Sequence, residues 1–201
     1  MNVVTIDYGA GNVSSVECAL RRLGVQASTA NQAAELERAD RLILPGVGHC
    51  AALIDALDAR ELRKPLLEAI SRRVPFLGIC LGLQALYEGS EEAPHRTGLG
   101  LVKGNVTRLP PGVKLPHMGW NQVRLMRASV LFQGVAPESY FYFAHSFAAP
   151  SAGLESAAVC NHGRDFIAVL EHENIFGVQF HPEKSGAPGA TVLDNFLRQA
   201  T

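Results

Sequence analysis

Residues Val74 to Tyr87 carry the feature that most limits how this chain can fold. The apolar run from Val74 to Ile79 reads as a short buried strand, and Leu81 to Tyr87, without a breaker after Gly82, reads as a helix. A strand passing through a tight turn into a helix is the repeating unit of a parallel sheet covered by helices. Between the two, Gly78-Ile79-Cys80-Leu81-Gly82 has the form G-x-Cys-x-G, the cysteine counterpart of a nucleophile elbow. A side chain on either glycine would crowd so sharp a turn, and a helix N-terminus beside Cys80 favours thiolate over thiol. A buried structural cysteine in a glycine-bearing turn has the same local pattern, so the elbow needs support from elsewhere in the chain.

The rest of the N-terminal half repeats the unit. Val3 to Ile6 reads as the first strand, followed by the loop Asp7 to Asn12, with Asn12 or Ser14 able to cap a helix running to about Leu23. Gly9 and Gly11 have the first spacing of a dinucleotide fingerprint, but the third glycine is missing, which leaves a tight strand-to-helix turn. Val25 to Thr29 and Arg41 to Leu44 read as further strands, and Ala51 to Leu57 and Leu62 to Arg73 as helices. Pro45-Gly46-Val47-Gly48 ends the third strand. In an open α/β sheet that is the ligand-binding edge, where glycines let backbone N–H groups face a cleft, although an ordinary turn would look alike.

After Gly89 the pattern changes. Glu88 to His95 is polar and reads as a loop, and Val106 to Leu109 and Asn121 to Leu125 alternate like exposed antiparallel strands. Pro116-His117-Met118-Gly119-Trp120 reads as a loop carrying the only tryptophan, either core packing or a binding surface. Strands are expected at Tyr140 to Phe147, Ala157 to Cys160, Phe166 to Leu170 and Ile175 to Phe180. No internal repeat, low-complexity tract or linker divides the chain, so residues 1–201 read as a single domain.

Composition narrows the setting. Lys and Arg number 18 against 19 Asp and Glu, which points away from nucleic acid and anionic membrane surfaces. No apolar run reaches membrane-spanning length, and Met1 to Asp7 lacks the basic region of a signal peptide. The cysteines, Cys18, Cys50, Cys80 and Cys160, show no C-x-x-C spacing, which disfavours a zinc site and a secreted disulfide framework. A reduced, cytoplasmic location is the simplest expectation.

The support for the elbow lies a hundred residues on, in Gly177-Val178-Gln179-Phe180-His181-Pro182-Glu183-Lys184. His181 is expected at the end of a strand, and Pro182 stiffens the turn so that His181 and Glu183 have fixed directions. A thiol nucleophile needs a base, and an imidazole needs a partner that fixes its tautomer. Cys80, His181 and Glu183 supply those three roles.

Gly78-Ile79-Cys80-Leu81-Gly82-Leu83-Gln84 together with Gln179-Phe180-His181-Pro182-Glu183 resembles the class I (triad) glutamine amidotransferases over nearly the whole chain. Five further strings narrow the resemblance: Asp7 to Asn12, Leu44 to Gly48, Leu115 to Asn121, Tyr142 to Ser146 and Phe180 to Ser185. They are similar to the glutaminase subunits of imidazole glycerol phosphate synthase, and Pro116-His117-Met118-Gly119-Trp120-Asn121 is the most selective of them.

The resemblance implies an α/β, flavodoxin-like three-layer fold with a central, mostly parallel sheet, helices on both faces and an antiparallel strand extension. It implies that Cys80 attacks the glutamine side-chain amide, His181 moves the proton and Glu183 orients His181. Oxyanion donors would come from Leu81 and the Val47–Gly48 loop, and Gln84, Glu92, His145 and Ser146 would hold the amino-acid end of the substrate. Ammonia would pass to a (β/α)8-barrel cyclase subunit in a heterodimer, docked through Asn12, Trp120, Tyr142 and Lys184. That subunit would form imidazole glycerol phosphate and aminoimidazole carboxamide ribotide in histidine biosynthesis. No metal, nucleotide or other cofactor is implied. His49, Cys50 and Phe147 depart from the family pattern beside the site without replacing a catalytic group. A glutaminase serving another synthase would share the triad, whereas a non-catalytic scaffold would be marked by loss of Cys80, His181 or Glu183, all of which are present.

Overall fold

The computed structural model describes residues 1–9, 12–151 and 155–199. The first half runs β1 (Val3–Ile6), α1 (Val13–Arg22), β2 (Ser28–Ala30), α2 (Ala33–Glu37), β3 (Arg41–Gly46), α3 (Cys50–Ala59), α4 (Arg63–Ser71), β4 (Phe76–Cys80) and α5 (Leu81–Gln84). The second half runs β5 (Tyr87–Ser90), β6 (Val102–Arg108), β7 (His117–Gln122), β8 (Arg124–Leu125), β9 (Tyr140–His145), β10 (Phe147–Ala148), β11 (Ser156–Asn161), β12 (Asp165–His172) and β13 (Ile175–Val178). A 3₁₀ turn (Pro182–Lys184) and α6 (Gly186–Leu197) complete it.

Among the described residues, eight strands form the main sheet in the order β2-β1-β3-β4-β13-β12-β11-β8. The pairings from β2 through β13 are parallel, and those beyond β13 are antiparallel. The alternation of side chains along each strand sends successive residues into different cores. Val4, Ile6, Leu42, Leu44 and Phe76 pack with Leu36, Leu53, Leu57, Leu66 and Ile70 of α2, α3 and α4. Val3, Ile43, Leu77 and Ile79 pack with Val16 and Leu20 of α1 and Val192, Leu193 and Phe196 of α6. A mostly parallel sheet thus lies between two helical layers, with an antiparallel extension.

Several elements differ from the sequence expectation. The helix after Cys80 stops at Gln84, and Tyr87–Ser90 pairs in parallel with β6, where the sequence suggested helix and polar loop. Gly98 packs closely on this strand: a Cβ on it would sit 2.0 Å from the Tyr87 carbonyl oxygen. β6 is antiparallel only to β10. The Pro116–Trp120 stretch is not a loop, because His117–Gln122 pairs with Tyr140–His145 from His117↔His145 to Gln122↔Tyr140. β3 extends through Pro45 and Gly46, which pair with Ile79 and Cys80. β2 begins at Ser28, since Val25 still closes the end of α1 through its N–H to Leu20 O, with Gly24 at φ +79°. Asn12 precedes α1 without a side-chain cap, its amide being used elsewhere. Ala10 and Gly11, the middle of the first glycine loop, lie outside the described residues.

This topology gathers the chemistry at one edge. β1, β3, β4 and β13 are parallel and consecutive neighbours, so Asp7, Val47–Gly48, Cys80 and His181 all lie at or just beyond strand C-terminal ends.

Candidate active site

Cys80 stands on the elbow with φ +54° and ψ −104°, a strained conformation for a residue bearing a Cβ. Close backbone packing holds it there. A Cβ on Gly82 would lie 1.9 Å from Leu44 O, and one on Gly78 would lie 2.5 Å from Gly82 O. The glycines therefore admit neighbouring backbone rather than making room for the cysteine side chain itself. α5 is only four residues long, so the helix-terminus field expected beside Cys80 comes from a single turn.

A cavity of about 190 Å³ opens above the sulfur, lined by Val47, Gly48, Cys80, Leu81, Gln84, Glu92, His145, Ser146, His181 and Lys184, among others. His181 Nδ1 lies 2.9 Å from Glu183 Oε1, so with a carboxylate there Nδ1 carries the proton and Nε2 is left for Cys80. Burial pulls the His181 imidazolium down, but the Cys80 sulfur and Glu183 outweigh it and push the group up to about 10. Asn12 Nδ2 donates to the same Glu183 oxygen at 3.0 Å, while Glu183 Oε2 is buried without a partner among the described residues. The expected triad is thus brought together, and Asn12, expected at an interface, braces it.

The Val47–Gly48 loop, expected to supply oxyanion donors, is held by a residue that the sequence did not single out. The Tyr8 hydroxyl accepts from Val47 N–H at 3.3 Å and lies 3.4 Å from Val47 O. Burial pushes the Tyr8 phenol up to about 12, so the hydroxyl stays protonated. In this conformation Val47 N–H is already engaged. Gly48, at φ +97°, follows it with open space around its α-carbon.

The substrate-binding candidates line the cavity, with two qualifications. Gln84 Nε2 donates to Phe147 O at 2.8 Å and to Gln179 Oε1 at 3.0 Å, so its two N–H bonds are used internally. His145 uses Nδ1 on Phe147 O and Nε2 toward His117, which leaves its backbone rather than its ring for a ligand. Glu92 Oε2 accepts from Cys50 N–H at 2.7 Å, at the start of α3. His49 caps the same helix, its Nδ1 accepting from Ala51 N–H at 3.2 Å, and Cys50 is buried with its thiol pushed up by burial and by Glu92. Of these two departures from the expected pattern, His49 caps the α3 terminus and the Cys50 side chain packs in the core.

Gln179 was missed as a separate contributor: its Nε2 donates to Cys80 Sγ at 3.5 Å. The alternation of an extended chain was the available signal, since residues 179 and 181 point the same way. Of the interface candidates, Trp120 is 56% exposed, its ring centroid lies 6.0 Å from that of Tyr142, and Lys184 Nζ sits 5.8 Å from the Tyr142 ring. Tyr142 O also accepts from His181 N–H at 2.8 Å. Among the described residues, no group of three or more His, Cys, Asp or Glu side chains is placed to hold a metal ion, and no helix is long and apolar enough to cross a membrane.

A strained cysteine facing a histidine–glutamate pair, at the C-terminal edge of a mostly parallel sheet, is the arrangement of a triad amidase. The family described as "Glutamine amidotransferase class-I" matches residues 4–200, and the chain belongs to it. A crystal structure of a glutamine amidotransferase, 18% identical, shares the fold with a TM-score of 0.76 over 97% of this chain and 99% of that one. The chain is 45% identical over 195 residues to the imidazole glycerol phosphate synthase subunit HisH of Methanothermobacter thermautotrophicus, covering 97% of each. It is 46% identical over 198 residues to the subunit of the same name from Salmonella typhimurium, covering 98% of this chain and 99% of that one. Within the class it belongs to the family of these HisH subunits.

Proposed function

We propose that this chain is the glutaminase subunit of an imidazole glycerol phosphate synthase. The observation that carries the reading is the single cavity in which Cys80, His181 and Glu92 meet, with Glu183 behind the imidazole. Glu92 offers a carboxylate to the substrate ammonium, and Ser146 and the His145 backbone line the same cavity. Cys80 Sγ bonds to the carboxamide carbon of glutamine, and the carbonyl oxygen takes up the electron pair. Leu81 N–H and a donor from Val47 or Gly48 meet that oxyanion, each worth roughly 3 kcal/mol in such sites. His181 gives its proton to the amide nitrogen, the C–N bond breaks and ammonia leaves a glutamyl thioester. Water then attacks the thioester carbon, His181 takes its proton, and the C–S bond breaks to release glutamate.

The ammonia passes to a (β/α)8-barrel cyclase subunit, with which this single-domain chain forms a cytoplasmic heterodimer. Asn12, Trp120, Tyr142 and Lys184 belong to the docking face, since they cluster around His181 and Glu183 on the strand-end side. Cys80→Ala tests the assignment in the assembled synthase. The variant is expected to lose glutamine-dependent synthesis and to keep synthesis from ammonium salt. Equal loss of both, in a variant that still binds the cyclase, would remove Cys80 from the role.

A further inference from the structure

Asn121, His117 and His145 form a hydrogen-bonded row whose direction is set by its inner end. His145 Nδ1 lies 2.9 Å from Phe147 O, and a carbonyl only accepts, so Nδ1 carries the proton. Nε2 of the neutral ring is then a lone pair, and His117 Nδ1, 3.1 Å away, must donate to it. His117 Nε2 is a lone pair in turn and accepts from Asn121 Nδ2 at 3.2 Å. The second Asn121 N–H goes to Asn161 O at 3.0 Å, and Asn121 Oδ1 accepts from Gln122 N–H at 2.8 Å. Only one assignment of protons satisfies every member. Burial holds His117 near 4 and His145 near 3, so both rings stay neutral at neutral pH.

The row joins the inner face of β7 to the cavity. Along β7, Met118 and Trp120 face outward, 64% and 56% exposed, while His117 and Asn121 face inward. At the other end, Phe147 O accepts from both His145 and Gln84. Gln84 also donates to Gln179, whose amide reaches the Cys80 sulfur. A continuous polar path thus runs from the inner face of β7 to the candidate nucleophile.

We propose that Asn121 and His117 are positioning residues for the glutamine cavity, holding His145 and the Phe147 carbonyl, and through them Gln84, in the binding geometry. This rests on the glutaminase reading and assigns a use to the buried half of the Pro116–Asn121 string, whose exposed half is the candidate docking face.

Asn121→Asp is the sharpest probe, because a carboxylate can only accept. It faces the His117 Nε2 lone pair, so His117 must take a proton at Nε2, either by giving up Nδ1–H, which opposes two lone pairs between His117 and His145, or by charging beside the carboxylate, which the burial that holds His117 near 4 works against. In the parent chain, ¹⁵N NMR of the imidazoles is expected to show His117 and His145 both protonated at Nδ1. In Asn121→Asp, His117 is expected to switch to Nε2–H, and KM for glutamine to rise about tenfold with kcat much less affected. His117→Asn, whose amide overlays Nδ1 and still donates to His145, is expected to recover most of the KM that His117→Phe loses. An Nε2–H tautomer at either ring of the parent, or parental KM in both Asn121→Asp and His117→Phe, overturns the proposal. A parent synthase inert toward glutamine would instead overturn the glutaminase reading, and the tautomers would still report on the row.

Discussion

Tyr8 holds an amide proton that the oxyanion mechanism has a use for. Its hydroxyl engages Val47 N–H, and Gly46 and Gly48 flank Val47, whose N-terminal peptide would have to turn to free it. Tyr8→Phe removes the hydroxyl and keeps the ring in the core, at a stability cost of about 1 kcal/mol for one hydrogen bond. Steady-state assays should show a faster glutaminase in the isolated variant and a smaller stimulation by cyclase plus its ligand. An isolated variant no faster than the parent would mean that Tyr8 does not restrain the loop. Gly48→Ala acts in the opposite sense: φ +97° is unfavourable for any residue with a Cβ, so partner-stimulated turnover should fall more than glutamine binding. Comparing kcat with ligand affinity in the assembled synthase checks this. Glu92→Gln separates charge from hydrogen bonding, because an amide oxygen still accepts from Cys50 N–H. KM for glutamine should rise roughly tenfold or more, the worth of a hydrogen bond to a charged group, with the melting temperature nearly unchanged. Parental kinetics would reduce Glu92 to a helix cap.

At the scale of elements, the elbow is the most constrained junction. Gly82 admits Leu44 O, so Gly82→Ala must move β3 or the start of α5. Overpacking of this kind costs typically 1–3 kcal/mol, and against rigid backbone the upper end is expected. Denaturant unfolding should register it, along with loss of glutaminase activity because Cys80 and the Val47 loop shift together. β1, β3, β4 and β13 were legible because each is a compact apolar run followed by Gly, Pro or a polar turn. The triad was legible because both halves sit at such ends. β5 was not, since Tyr87-Glu88-Gly89-Ser90 has no apolar run of its own and reads as the end of a helix passing into a polar loop. β7 was hidden by Pro116 and Gly119, two residues that ordinarily break strands, and its Gly119 adopts φ +138°. α6 opens with Gly186-Ala187-Pro188-Gly189, a poor helical start, and is fixed by packing Val192, Leu193 and Phe196 beneath the sheet. Tyr8 with Val47 and His117 with His145 depend on contacts between segments far apart in sequence, which no local pattern records.

For the whole molecule, the buried histidines give stability two opposing limbs. His181 is raised from 6.5 to about 10, so its contribution is complete below 6.5 and is lost as pH climbs toward 10. His117 and His145 are lowered from 6.5 to about 4 and about 3, so theirs is complete above 6.5 and is lost as pH falls. His117 stacks against His162 at 4.1 Å, and charge on His162 or His181 opposes protonation of His145. Melting temperature against pH should therefore form a dome, with the alkaline limb flattened in His181→Asn and the acid limb in His117→Asn. A profile unaffected by both substitutions would contradict this account.

The four thiols are all free, and only Cys18, on α1, is exposed. Cys160 is pushed up to about 12 by burial, and Cys50 is raised for the same reason, so neither competes for electrophiles near neutral pH. Cys80 is buried and lines a small cavity. Two reagents should therefore sort themselves without engineering. A bulky maleimide dye should mark Cys18 and leave amide hydrolysis intact, while a small electrophile shaped like glutamine should enter the cavity and alkylate Cys80. Peptide mass mapping after sequential treatment would place one adduct on each, giving a fluorescent chain whose active sites can be counted independently of its dye.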